Sequence, residues 1–120
     1  MTSQEDPLSL TQDATFDFTM GDITAALQKL EKALEIDPHF FDALLAKTEI
    51  YYAERNFQEA LKSAEKAHEL QPEDILINTS LSRIWMELGD KPKAEYYGAQ
   101  ARMLGWKQEI LSPSKEPEVK

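Results

Sequence analysis

The stretch that decides the fold is FDALLAKTEIYYAERNFQEALKSAEKAHELQP, residues 41–72. It contains two amphipathic helical patterns, which meet at Arg55 and Asn56 and stop at Pro72. Helices of about 14 residues are marginal alone, so each must bury its apolar stripe against a neighbour. The stretch therefore predicts one helical hairpin.

The same pattern recurs in both directions along the chain at a constant spacing. Small residues return to equivalent places, first at Ala26, Ala60 and Ala94 and then at Ala33, Ala67 and Ala101. A fixed period of about 34 residues is typical of helix-turn-helix arrays. The sequence predicts an all-α chain of three stacked hairpins, covering about residues 7–40, 41–74 and 75–106. Residues 1–7 are polar and contain a proline, which predicts a disordered N-terminal tail.

The last helical pattern indicates where the array ends. Glu95 and Arg102 occupy the places that Leu61 and His68 hold one period earlier. A terminal repeat needs a polar outer face for solubility, so we expect no further repeat. For residues 107–120 the sequence predicts a short C-terminal flap and a disordered tail. Three apolar residues, Trp106, Ile110 and Leu111, are expected to fold back and cap the stack.

Charge and composition limit the classes of partner. Residues 1–74 hold sixteen acidic and six basic side chains, whereas residues 75–120 hold six and seven. An acidic surface disfavours nucleic acid and anionic membranes and favours a basic or apolar protein partner. The chain has no cysteine, no apolar run of roughly 20 residues and no signal-peptide pattern at its start, so we expect a cytoplasmic protein.

Residues that carry chemistry are few. The two histidines, His39 and His68, are not spaced as metal ligands, and no glycine-rich phosphate loop is present. Carboxylate pairs such as Glu65 and Glu69 lie beside lysines and fit solvated helix faces. We therefore predict a non-enzymatic protein that needs no cofactor and no metal.

The repeat resembles the tetratricopeptide repeat (TPR) family, whose pattern has small residues at the helix crossings and a closing proline. Tyr51 and Trp85 take the place of its large residue, whereas Asp17, Asn78 and Lys47 depart from its pattern. The resemblance implies a right-handed superhelical stack of three helix-turn-helix hairpins. It also implies a concave groove, lined by the first helix of each pair, that binds a partner protein.

Carried over to this sequence, the partner-binding groove positions are Phe18, Leu45, Glu49, Tyr52, Leu76, Thr79, Arg83 and Met86, with Leu8, Thr15 and Asp42 beside them. Tyrosine and arginine are frequent interface anchors, which draws attention to Tyr52 and Arg83. With Glu49 one turn from Tyr52, we expect an acidic and a basic edge that orient a peptide carrying both charges.

Other functions stay open at this stage. The groove lacks the lysines and asparagines of the carboxylate clamp of heat-shock co-chaperones, so that role does not fit. The alternatives to peptide binding are self-assembly through the C-terminal end of the stack and a small secretion-type chaperone. Tyr96, Tyr97 and Trp106 are interpreted as core and cap residues, and an exposed adhesive patch is their alternative. We expect a monomer or a weak homo-oligomer.

Overall fold

The computed structural model describes residues 5–111, which form six α-helices and no strand. In chain order the helices are α1 (Pro7–Thr19), α2 (Ile23–Ile36), α3 (Phe41–Ala53), α4 (Phe57–Leu70), α5 (Ile75–Glu87) and α6 (Lys91–Leu111). Each odd-numbered helix packs against the even-numbered helix that follows it. The prediction of an all-α stack of three helix-turn-helix hairpins is confirmed.

The repeat period is visible in the turns within the hairpins. Gly21, Arg55 and Gly89 all have positive φ, at 88°, 62° and 87° respectively. The next residue in each case accepts a hydrogen bond with its side chain from a backbone N–H in the first turn of the following helix; these N-caps are Asp22, Asn56 and Asp90. The three hairpins therefore share one turn geometry, which only the middle hairpin builds without glycine.

The start of α1 differs slightly from the prediction. Asp6 caps the helix through Ser9 N at 2.8 Å, and Pro7 is the first helical residue, a position where its missing N–H is tolerated. Pro7 thus belongs to the first hairpin and not to a tail. Residues 1–4 lie outside the described part of the chain.

Buried alanines let the helices of each pair approach closely. Ala26, Ala60 and Ala94 are at most 1% exposed, and Ala33 and Ala67 are fully buried. Two clusters of buried apolar side chains form the core, the first built from α1, α2 and α3 and the second from α3, α4 and α5. Leu34 packs against both clusters, so the core is continuous along the stack.

The departure at Asp17 is explained by an ion pair. Asp17 occupies the position that Tyr51 and Trp85 hold in the other two hairpins. Its carboxylate lies 2.7 Å from Nζ of Lys29 in α2. Hydrogen bonding to Asp17 raises the pKa of the Lys29 ammonium above its ordinary value. A charged pair therefore replaces an aromatic side chain in the first hairpin.

The other two departures also make polar contacts, although the buried Oδ1 of Asn78 has no hydrogen-bond partner among residues 5–111. Asn78 is buried and donates from Nδ2 to the carbonyl oxygens of Pro72 and Asp74, at 3.0 and 2.8 Å, which ties the start of α5 to the preceding loop. Lys47 pairs with Glu31 at 3.2 Å across α2 and α3. Each departure from the repeat pattern thus has a local partner.

The predicted C-terminal flap is wrong. Helix α6 runs without a break through Gly105 to Leu111, and Trp106, Ile110 and Leu111 are 65%, 77% and 73% exposed. The helix continues past Gly105 because the residues that follow include good helix formers, and no proline occurs between Gly105 and Pro113. The predicted tail from Ser112 onwards lies outside the described residues.

Candidate partner-binding groove

The odd-numbered helices form one layer of the stack. Helix α3 contacts both α1 and α5, and the even-numbered helices lie behind this layer. All of the predicted groove positions fall on these three helices. Along α5, for example, Leu76, Thr79, Arg83 and Met86 follow at helical spacing and share one face.

The layer contains a cavity of about 380 Å³ between α1 and α3. Its walls include five positions that the sequence assigned to the groove: Thr15, Phe18, Asp42, Leu45 and Glu49. Phe18 and Leu45 are half-buried and pack against the two core clusters, so the cavity opens directly onto the apolar core. A cavity of this size accepts one large apolar side chain.

Three further wall residues, Thr11, Ala46 and Ile50, were not predicted to bind a partner. Thr11 and Ala46 lie one turn from predicted positions, and this i, i+4 relation was the signal that could have identified them. The buried Oγ1 of Thr11 has no hydrogen-bond partner among residues 5–111.

Carboxylates dominate the electrostatics of the cavity. Asp42 and Glu49 stand seven residues apart on α3, roughly 10 Å along the helix axis, and no basic side chain is among the wall residues. Asp42 is exposed at the first turn of α3, where the helix dipole favours its charge. The cavity thus combines an apolar floor with an acidic rim.

A polar cluster joins α3 to α5 next to the cavity. Glu49 accepts a hydrogen bond from Ser80 Oγ at 2.6 Å, and its carboxylate forms an ion pair with the Arg83 guanidinium at 3.4 Å. The Arg83 guanidinium also lies over the ring of Tyr52, 4.5 Å from its centre. The ring of Phe57 contacts that of Tyr52 edge-on at 5.3 Å and supports it from α4.

This cluster corrects the expected charge pattern. Glu49 and Arg83 pair with each other and do not form opposite edges of the groove, because residues one repeat apart lie side by side on neighbouring helices. Leu76 and Met86 are 61% and 51% exposed on α5 and do not line the cavity. The structure therefore gathers Phe18, Leu45 and Glu49 at the cavity and leaves the ends of α5 outside it.

Sites of other kinds have little support in the described residues. Between residues 5 and 111 no cluster of three or more histidine, aspartate or glutamate side chains is arranged to hold a metal ion. Within the same range no helix combines the length and the apolar character needed to cross a membrane. His68 lies edge-on to the Tyr97 ring at 5.6 Å, a packing contact.

Known proteins resemble this chain both in the sequence of its repeat and in its fold. Residues 18–62 match the family model described as tetratricopeptide repeat. Sperm-associated antigen 1 of Mus musculus and of Rattus norvegicus are each 32% identical to this chain over 82 residues, or 68% of its length. That match spans only 9% of either relative, so the chain corresponds to a small part of these much longer proteins.

A solved structure supports the architecture over almost the whole chain. The crystal structure of the MamA protein superposes with a TM-score of 0.80, covering 94% of this chain and 62% of the other, at 18% sequence identity. Three findings thus agree on the repeat architecture: the likeness in fold, the match to the repeat model and the turn geometry that the three hairpins share. The chain therefore has the tetratricopeptide repeat fold and carries a sequence match to that repeat, a motif that generally mediates protein–protein interaction.

Proposed function

We propose that this protein binds a peptide segment or a helix of a partner protein in the groove formed by α1, α3 and α5. The observation that carries the proposal is the cavity of about 380 Å³ between α1 and α3, whose walls include five positions that repeat phase assigned to the groove. An apolar floor that opens on the core, with polar groups at its rim, is the usual composition of a binding pocket.

The chemistry of the walls indicates what the segment carries. Phe18, Leu45 and Ile50 suit a leucine, methionine or phenylalanine anchor. Asp42 at the rim suits a lysine or arginine next to that anchor, and the acidic excess of residues 1–74 favours basic flanks over a longer distance. The proposed ligand is therefore a basic segment with one apolar anchor.

The cluster of Tyr52, Glu49 and Arg83 is proposed as a pre-organised platform beside the anchor. Its side chains already hold each other, so few rotamers remain to be fixed on binding. The exposed parts of the Tyr52 ring and of the guanidinium stay available to the peptide. Truncating either residue should therefore remove an interface anchor, with some loss of stability for Tyr52, which also packs against the second core cluster.

The proposal is tested by selecting ligands from a displayed library of random peptides and measuring the affinity of the best one by fluorescence anisotropy. We expect the selected sequences to share an apolar residue flanked by lysine or arginine. Tyr52→Ala and Arg83→Ala should each weaken binding by about 1–3 kcal/mol. Lys62→Ala, on the opposite face of the stack, is the matched control. Equal affinity for all three variants would place the binding surface elsewhere.

Direct binding of nucleic acid is not part of this proposal, because an acidic groove repels phosphate. We propose a cytoplasmic location, in line with the absence of cysteine. Of the two alternative functions, a secretion-type chaperone is favoured by no particular residue. Self-assembly is favoured by one specific feature, the exposed apolar side chains of α6.

A further inference from the structure

The outward face of α6 carries an apolar stripe that is not buried within the stack. Its members are Tyr96, Ala99, Met103, Trp106 and Ile110, spaced alternately by three and four residues. All except half-buried Ala99 are more than half exposed. The stripe lies opposite the buried Ala94 side of the helix, so it faces away from α5.

The other repeats show that the fold itself does not require this stripe. One and two periods earlier, the equivalents of Tyr96, Ala99 and Met103 are polar: Lys62, Glu65 and Glu69 in α4, and Gln28, Glu31 and Glu35 in α2. The convex face is therefore apolar in the third hairpin, whereas the same face is polar in the first two. The end of the stack, where a further repeat would pack, is charged at Glu95 and Arg102 instead.

The spacing of the stripe is that of a coiled-coil seam, with its residues at the a and d positions of two heptads. Met103, Trp106 and Ile110 also line a recess of about 410 Å³, into which a side chain of another helix can insert. We propose that the outward face of α6 binds the same face of a second copy of this chain, with the two helices antiparallel.

The charged residues beside the stripe favour the antiparallel arrangement. When Met103 faces Trp106 of the partner subunit, Arg102 comes beside Glu109 of the partner subunit, and two-fold symmetry forms this opposite-charge pair twice. In a parallel pair, Arg102 would instead lie beside Lys107 of the partner subunit, which is repulsive on both sides of the seam. The flanking charges therefore complement an identical helix in one direction only.

The residues that follow α6 in this sequence are poor in apolar side chains that could cover the stripe. The nine residues after Leu111, SPSKEPEVK, contain a single aliphatic side chain other than proline, Val119. A 21-residue helix is roughly 31 Å long, and its stripe supplies only about four layers of side chains. Such an interface is small, which predicts a weak dimer that forms in a concentration-dependent manner. Each dimer would present two grooves, so a partner with two binding segments would gain avidity.

The test is sedimentation velocity of the full chain over a hundredfold range of concentration, with variants of matched charge. We expect wild type to convert from monomer to dimer within the range. Trp106→Glu should weaken dimerisation by about a hundredfold. Arg102→Glu should weaken it by roughly tenfold, and the double variant R102E/E109R should restore it, because the pair is re-formed with its signs reversed. Lys62→Glu changes the net charge equally on the convex face and should have no effect.

Two results would overturn the proposal. Wild type that stays monomeric throughout the range would show that a second copy does not occupy the stripe. Stronger dimerisation of Arg102→Glu would show that the helices run parallel, since glutamate would then attract Lys107 of the partner subunit. Thermal unfolding of each variant, followed by circular dichroism, separates weak dimers from misfolded chains, and these exposed substitutions should leave the monomer folded. The groove proposal does not depend on either result.

Discussion

Replacing Ala67 by leucine should destabilise the second hairpin markedly. Ala67 is fully buried at the crossing of α3 and α4, in a cluster that includes Leu44, Ala64 and Ile77. A leucine adds three carbon atoms where no space remains, which typically costs about 1–3 kcal/mol. For a domain of this size each kcal/mol shifts the unfolding midpoint by roughly 4–8 °C, so the midpoint should fall by about 4–24 °C.

The assay is thermal and urea unfolding followed by the circular dichroism signal of the helices. Lys62→Leu is the control, because its side chain is 71% exposed and it loses only an ion pair with Glu59 of about 0.2–0.5 kcal/mol. Ala101→Leu, at the equivalent place in the last hairpin, should have an intermediate effect, since Ala101 is only half-buried. An unchanged midpoint for Ala67→Leu would refute the assignment of Ala67 to the helix crossing.

Four smaller changes test the turns, helix α6 and the first hairpin. Gly89→Ala should lower the free energy of unfolding by about 1–2 kcal/mol, because φ is positive there, whereas the same change at helical Gly105 should raise it by about 0.5–1 kcal/mol; neither added Cβ meets an atom within 4 Å. Asp90→Ala should remove the N-cap of α6 and cost about 1 kcal/mol by urea unfolding. The raised pKa of Lys29 means that its pair with Asp17 stabilises the fold fully below pH 10.5 and loses this effect as the pH rises through the folded-state pKa. Asp17→Asn should therefore be less stable than wild type at pH 8, and a difference that stayed constant up to pH 12 would contradict this linkage.

The sequence predicted the architecture well because the decisive signals are local and repeated. Asp22, Asn56 and Asp90 recur once in each hairpin at a constant spacing, and the positions of turns and caps do not depend on distant contacts. The buried alanines followed from the same phase. These features need only the helical period and the chemistry of capping, which a single sequence contains.

What the sequence did not reveal depends on how side chains pair between repeats. Glu49 and Arg83 were assigned to opposite edges of the groove, although their separation by one full repeat places them at equivalent positions on adjacent helices. The predicted C-terminal flap was also wrong, because a glycine within a helix costs only about 1 kcal/mol and Gly105 does not end α6. The cavity between α1 and α3 arises from packing between hairpins, and a one-dimensional pattern gives no measure of it.

The binding footprint of a selected peptide tests the central claim most directly. Amide chemical shifts of the ¹⁵N-labelled protein would be recorded during a titration with the tightest peptide from the displayed library. We expect the largest changes to cluster at Phe18, Leu45, Glu49 and Tyr52, around the cavity and its platform. Changes concentrated on α2, on α4 or on the outward face of α6, with the cavity residues unmoved, would contradict it.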